Sequence, residues 1–192
     1  MRTILSARLR LVPVTSSNAE LLWQVLQEPD LRDYQDLPDL NRAQFARVVG
    51  ARPKRFAAGA VGRFEWLVHY VDEGEAAPLG WVSLRITESN RATAEIGYSV
   101  VGAYRGKGIA TEAVAALIGE GFSRARLREI RAYCLPENLS SRAVLRRNGF
   151  EDRGTLTRGA TVGGKPVDVI VHSLERERWT ARFSENSVAT RS

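Results

Sequence analysis

Tyr98-Ser99-Val100-Val101-Gly102-Ala103-Tyr104-Arg105-Gly106-Lys107-Gly108-Ile109-Ala110-Thr111 runs from an apolar strand, through a glycine-rich turn, into an apolar-periodic helix. The first turn of a helix carries N–H groups with no intrahelical partner and the positive end of the macrodipole. Small residues at that point let a phosphate approach the bare backbone, so the segment predicts an anion cradle. Spacing separates the cradles that share this logic. A Walker A loop needs one more residue before its Gly-Lys than the three between Gly102 and Gly106, and Gly108 stands where Ser or Thr is required. A dinucleotide fingerprint needs a glycine where Thr111 stands and a parallel, doubly wound setting, whereas hairpin-like strands precede this turn.

Periodicity outlines the remaining chain. Leu9–Pro13 alternates as a strand, and Thr15, Ser16 and Ser17 offer caps for a helix with Leu21, Leu22, Val25 and Leu26 on its apolar face, stopped by Pro29. Asn41 caps a second helix carrying Ala43, Phe45, Ala46 and Val49. Phe64–Val71 and Leu79–Ile86 read as an antiparallel pair joined through Asp72-Glu73-Gly74-Glu75, and Thr93–Val101 as a third strand. Ile109–Phe122 is helical, Glu129–Leu135 a strand, and Asn138 caps a helix that Asn148-Gly149 ends. Phe150–Leu156 and Val167–Leu174 close the chain, with Gly159, Gly163 and Gly164 in their connection. The expectation is an α/β fold with a mixed, mostly antiparallel sheet of about seven strands and about four helices. Residues 1–183 form a single domain, and 184–192 a polar tail.

Composition narrows the partners. The 192 residues fit one domain, and 44% hydrophobic residues suffice for a real core. A net charge of +6 favours anionic ligands. The densest cations, Arg124, Arg126, Arg128 and Arg131, lack interleaved aromatics and any groove-reading signature, so they read as a solvated face and nucleic acid is disfavoured. Cys134 is the only cysteine, which excludes an internal disulfide; with two histidines a structural zinc site is excluded too, and no metal is expected. No apolar run approaches the roughly 20 residues of a membrane span, and Met1–Arg10 lacks a signal-peptide core. The chain reads as soluble and cytoplasmic, with no membrane partner.

Arg105-Gly106-Lys107-Gly108-Ile109-Ala110 matches the Arg/Gln-x-x-Gly-x-Gly/Ala signature, and on it the chain resembles the GNAT superfamily of acetyl-CoA-dependent N-acyltransferases. Ala94–Tyr98, Glu137–Arg142 and Asn148–Phe150 follow the order and spacing of its RimJ/RimL-like branch, and Ala7–Leu11 and Glu175–Trp179 extend the similarity over nearly the whole chain. The resemblance implies the GNAT fold, in which the Thr93–Val101 strand splays from Glu129–Leu135 and admits the pantetheine arm. It further implies that the backbone of Tyr98, Ser99 and Val100 pairs with that arm. N–H groups of Gly106, Lys107, Gly108, Ile109, Ala110 and Thr111 would hold the pyrophosphate of acetyl-CoA, with charge added by Arg105 and Lys107. Asn138 matches a position that hydrogen-bonds the pantetheine arm, and a helix N-cap accounts for it equally.

The implied reaction is direct attack of an amine on the thioester in a ternary complex. A protein α-amine with pKa near 8 is only about one-tenth neutral at pH 7, so a base helps. By the resemblance, Glu95 aligns with the carboxylate that some members use as general base, directly or through water, with an outward-facing strand carboxylate in a salt bridge as its other reading. Many members carry a tyrosine acid where this chain has Leu145. Ser141 is the substitute donor, or a first-turn capping hydroxyl, and Tyr133 a second candidate. A protein N-terminus or a small-molecule amine would be the acceptor. Glu28, Asp30, Asp33, Asp36 and Asp39 either steer that cation or serve as caps and turn formers. His69 and His172 read as core or edge residues, Trp66 and Trp81 as core or cleft wall, and Cys134 as inert filler. A homodimer is compatible with the chain. The alternative is a nonenzymatic CoA-binding or nucleic-acid-associated module that has lost catalysis.

Overall fold

The computed structural model describes residues 1–34, 39–72 and 77–181. Asp36, and the proposed tail over 184–192, lie outside the described residues. Eight strands form one sheet: β1 (Ile4–Leu5), β2 (Leu9–Pro13), β3 (Gly62–Tyr70), β4 (Gly80–Thr87), β5 (Asn90–Val100), β6 (Glu129–Cys134), β7 (Glu151–Val162) and β8 (Lys165–Glu175). Their spatial order is β1-β2-β3-β4-β5-β6-β8-β7. Every pairing is antiparallel except β5 with β6.

Alternation along the strands sends two cores to opposite faces. Val82, Leu84 and Ile86 join the larger core beneath α3 (Ile109–Ser123) and α4 (Leu139–Arg147). Leu67 and Trp81 meet α1 (Ala19–Leu26) and α2 (Arg42–Gly50) on the other side. Burying one large apolar side chain contributes roughly 1.5–3 kcal/mol, against about 0–1 kcal/mol for an exposed ion pair. Ile109, Val114, Leu117, Ile118 and Phe122 therefore fix α3 far more firmly than the surface charges around it.

The strand–helix–strand crossover falls where the sequence places it, and the additions have local causes. β1 is too short to show a period, and it raises the expected seven strands to eight. α1 ends at Leu26, before Pro29, and Pro29 opens a 3-10 turn, Pro29–Asp33. Its N-cap position is Asn18 rather than one of the preceding hydroxyl residues. Asn41 caps α2 in a capping box with Gln44. Gly159 lies inside β7 rather than in the connection, and its lack of a side chain leaves room for Val169, whose Cγ2 an added Cβ would meet at 2.6 Å. Residues 176–181 add a short helix after β8. No described helix is long and apolar enough to cross a membrane.

Candidate active site

The parallel pairing of β5 and β6 is brief. Thr93, Ala94 and Glu95 face Glu129, Ile130 and Arg131, and the ladder then stops although β5 continues to Val100 and β6 to Cys134. β5 stays paired with β4 through Val100. The two central strands thus splay, and a cavity of about 460 Å³ opens between them. Tyr98, Ser99, Val100, Arg105, Gly106 and Gly108 line it together with Ile109, Ala110, Thr111, Asn138 and Ser141.

One end of this cleft is main chain. Gly106 and Gly108 have φ of +75° and +77°, a region that disfavours any side chain, and Gly108 is the N-cap residue of α3. No side chain caps that helix terminus. Its first-turn N–H groups thus meet the cleft without a competing acceptor from the cap residue, the arrangement that suits an anion. Both cations of the turn have partners within it: Arg105 Nε donates to the Val100 carbonyl at 2.9 Å, and Lys107 Nζ lies 5.3 Å from the Tyr104 ring centroid. Lys107 is not part of the cleft wall.

The other end is side chain. Tyr98 reaches from β5 to α4, where its Oη lies 2.9 Å from Ser141 Oγ and donates to the Ser141 carbonyl at 3.2 Å. Burial pushes the Tyr98 phenol well above its ordinary pKa despite the hydrogen bond to Ser141, so it stays protonated. Asn138 Oδ1 accepts from Ser141 N and Ser140 Oγ, both at 3.0 Å, which makes it the N-cap of α4 while it also lines the cleft. Leu145 is fully buried in the core, so this side chain is withdrawn from solvent.

Glu95 lies on the sheet face of Gly97 and Ser99, two and four residues before them, outside the cleft wall. It stands opposite Arg85 on β4 and Arg131 on β6, and Arg85 Nη2 donates to its Oε2 at 2.5 Å. Arg131 is bound to Glu129 at 2.8 Å. The structure therefore shows Glu95 as a strand carboxylate in a salt bridge, on the strand that borders the cleft.

Several other residues find places that spacing did not disclose. Cys134 Sγ lies 3.8 Å from His172 Nδ1, a histidine brought beside it by the β6–β8 pairing. Burial pushes the thiol up to about 11 and His172 down, so the pair is neutral thiol and neutral imidazole, not an activated thiolate. Trp66 and Trp81 both belong to the cores and neither lines the cleft. Glu28 Oε2 accepts from Gly102 N at 3.0 Å, so one carboxylate of the acidic run holds the turn after β5. Leu31 and Tyr34 of that segment line the cleft. Tyr133 also lines it and is partly exposed. Arg124 Nε donates to the Phe56 carbonyl at 3.1 Å.

A family model described as Acetyltransferase (GNAT) domain matches residues 8–151. Over 180 residues the chain is 28% identical to an uncharacterized N-acetyltransferase, p20, of Bacillus licheniformis, covering 93% of this chain and 99% of that one. Among solved structures, RimL, a ribosomal L7/L12 α-N-protein acetyltransferase in a disulfide-linked complex with coenzyme A, aligns with TM-score 0.76 and 23% identity, over 91% of this chain and 98% of that one. A ribosomal-protein-S5-alanine acetyltransferase from Vibrio fischeri aligns with TM-score 0.74 and 24% identity, over 93% and 99%. At these identities the likeness to the solved structures is one of fold.

Proposed function

This chain belongs to the GNAT acetyltransferase family, and we propose that it binds acetyl-CoA and a protein N-terminal amine together and passes the acetyl group directly between them. The observation that carries this reading is the break in the β5–β6 ladder after Glu95, with the bare end of α3 at one side of the gap. A strand left unpaired on one edge offers main-chain partners to an extended arm, and a helix N-terminus offers N–H groups to a diphosphate. Tyr98, Ser99 and Val100 take the first role, and the N–H groups from Gly106 to Thr111 the second. Neighbours named as acetyltransferases of ribosomal proteins support a protein acceptor.

The neutral amine attacks the thioester carbonyl; a C–N bond forms, the C–S bond breaks, and the sulfur leaves as thiolate. Glu95 takes the proton lost by nitrogen, directly or through water, with Arg85 fixing the orientation of its carboxylate. A leaving thiol with pKa about 8.5 departs without a strong acid. A hydrogen bond from Ser141 Oγ to the departing sulfur is then sufficient, and solvent supplies the final proton. Cys134, protonated and buried, takes no part.

The test is incubation with acetyl-CoA and a mixed panel of peptides and small amines, following thiol release and identifying products by mass. Peptides acetylated at the α-amine, with kcat/KM above that of every small amine, are expected. Acetylation confined to small amines overturns the protein acceptor, and thiol release with none of the panel overturns the enzymatic reading.

A further inference from the structure

We infer that Arg8 is a positioning residue for the acetyl-CoA diphosphate: it fixes the Lys107–Gly108 peptide with its N–H turned into the cleft and neutralises the Glu112 carboxylate beside the phosphate seat. The inference rests on the reading of the α3 N-terminus as that seat.

The first half of the argument is geometric. Lys107 sits between two glycines of positive φ, so the local chain does little to decide which way its peptide group faces. Arg8, in the turn before β2, decides it: Nη1 and Nη2 both lie 3.3 Å from the Lys107 carbonyl oxygen and donate to it. In a trans peptide the C=O and the following N–H point in opposite directions, and no described peptide bond is cis. A Lys107 carbonyl held toward Arg8 therefore turns the Gly108 N–H to the opposite side. Gly108 lines the cleft and Lys107 does not, which is the arrangement this anchoring produces.

The second half is electrostatic. Glu112 stands in the first turn of α3, where a carboxylate suits the helix dipole but opposes an incoming diphosphate. Its charge is answered within the protein. Arg8 Nε donates to Oε2 at 2.7 Å, while Arg8 main-chain N and Ser6 Oγ donate to Oε1, each at 2.8 Å. Burial raises the Glu112 pKa, but these donors and the Arg8 charge outweigh it and hold the carboxyl below its ordinary value, so the group is an ion that needs its partner. One guanidinium thus serves both purposes, with its fork on the carbonyl and its Nε on the carboxylate.

The experiment compares acetyl-CoA with S-acetylpantetheine, which carries the same thioester and lacks the diphosphate. In Arg8→Met the ratio of kcat/KM for acetyl-CoA to that for S-acetylpantetheine falls about tenfold, the scale of one lost charge-assisted contact. Arg8→Met with Glu112→Gln regains part of that ratio, because no unpaired carboxylate then stands in the first turn of α3. Arg8→Lys keeps the charge and loses the fork; its ratio falls between wild type and Arg8→Met, and it carries the same test should Arg8→Met fail to fold. An unchanged ratio in both single variants overturns the inference, and so does an equal loss on both substrates, which marks a merely structural role. A wild-type enzyme that shows no preference for acetyl-CoA over S-acetylpantetheine instead overturns the diphosphate seat itself, so the two failures are distinguishable.

Discussion

The α3 end of the cleft is walled by the glycine turn and the uncapped start of a helix, whereas the α4 end is walled by side chains, Tyr98 and Ser141, with Glu95 further along β5. The first end depends on backbone conformation and is blind to the identity of most side chains there. Lys107, the most conspicuous cation of the motif, is turned onto Tyr104, and Arg105, on the cleft wall, donates through Nε to the Val100 carbonyl. The second end depends on which residues the strand registers place opposite one another, Arg85 with Glu95 above all. On the proposed function, a site built this way would hold its acyl donor through the fold and tune its chemistry through a few replaceable groups.

Four substitutions sharpen or break that contrast. Glu95→Gln is expected to lower kcat about a hundredfold while the KM for acetyl-CoA stays within about twofold; wild-type turnover over roughly pH 6 to 9 would remove Glu95 as the base. Gly108→Val forces a β-branched residue into a left-handed φ of +77° and is expected to raise the KM for acetyl-CoA about thirtyfold, with a smaller fall in kcat. Steady-state kinetics at saturating acceptor separates these two signatures. Tyr98→Phe frees the Ser141 hydroxyl to rotate and is expected to lower kcat about fivefold with little change in acetyl-CoA affinity by calorimetry. Lys107→Ala removes a cation but no main-chain donor; a rise in the KM for acetyl-CoA of about threefold at low salt, vanishing at high salt, is expected. A larger effect than that of Gly108→Val would mean that side-chain charge, not backbone, carries the diphosphate.

The same contrast explains what could be read from the sequence. The backbone end announces itself, because positive φ demands glycine and a helix start demands a strand–turn–helix order, both visible in one dimension at Gly106 and Gly108. Asn41 and Asn138 likewise show as caps, since their partners lie three residues on. The side-chain end stays hidden. Tyr98 and Ser141 are 43 residues apart, and their contact exists only once β5 splays and α4 folds across the gap. His172 meets Cys134 by the β6–β8 register, and Arg8 meets Glu112 and Lys107 across about a hundred residues. A strand of two residues, Ile4–Leu5, carries no period at all. In the sequence Glu28 is one charge among five, and its bond to the Gly102 N–H has no signature in composition or spacing.

A crystal structure of the protein with coenzyme A bound tests the central claim most directly. The account predicts the diphosphate at the start of α3, with N–H groups between Gly106 and Thr111 at hydrogen-bond distance, about 2.7–3.2 Å, and the pantetheine arm lying along Tyr98–Val100 in the gap between β5 and β6. Coenzyme A bound outside that gap, or a diphosphate gripped by side chains away from the α3 terminus, would contradict it.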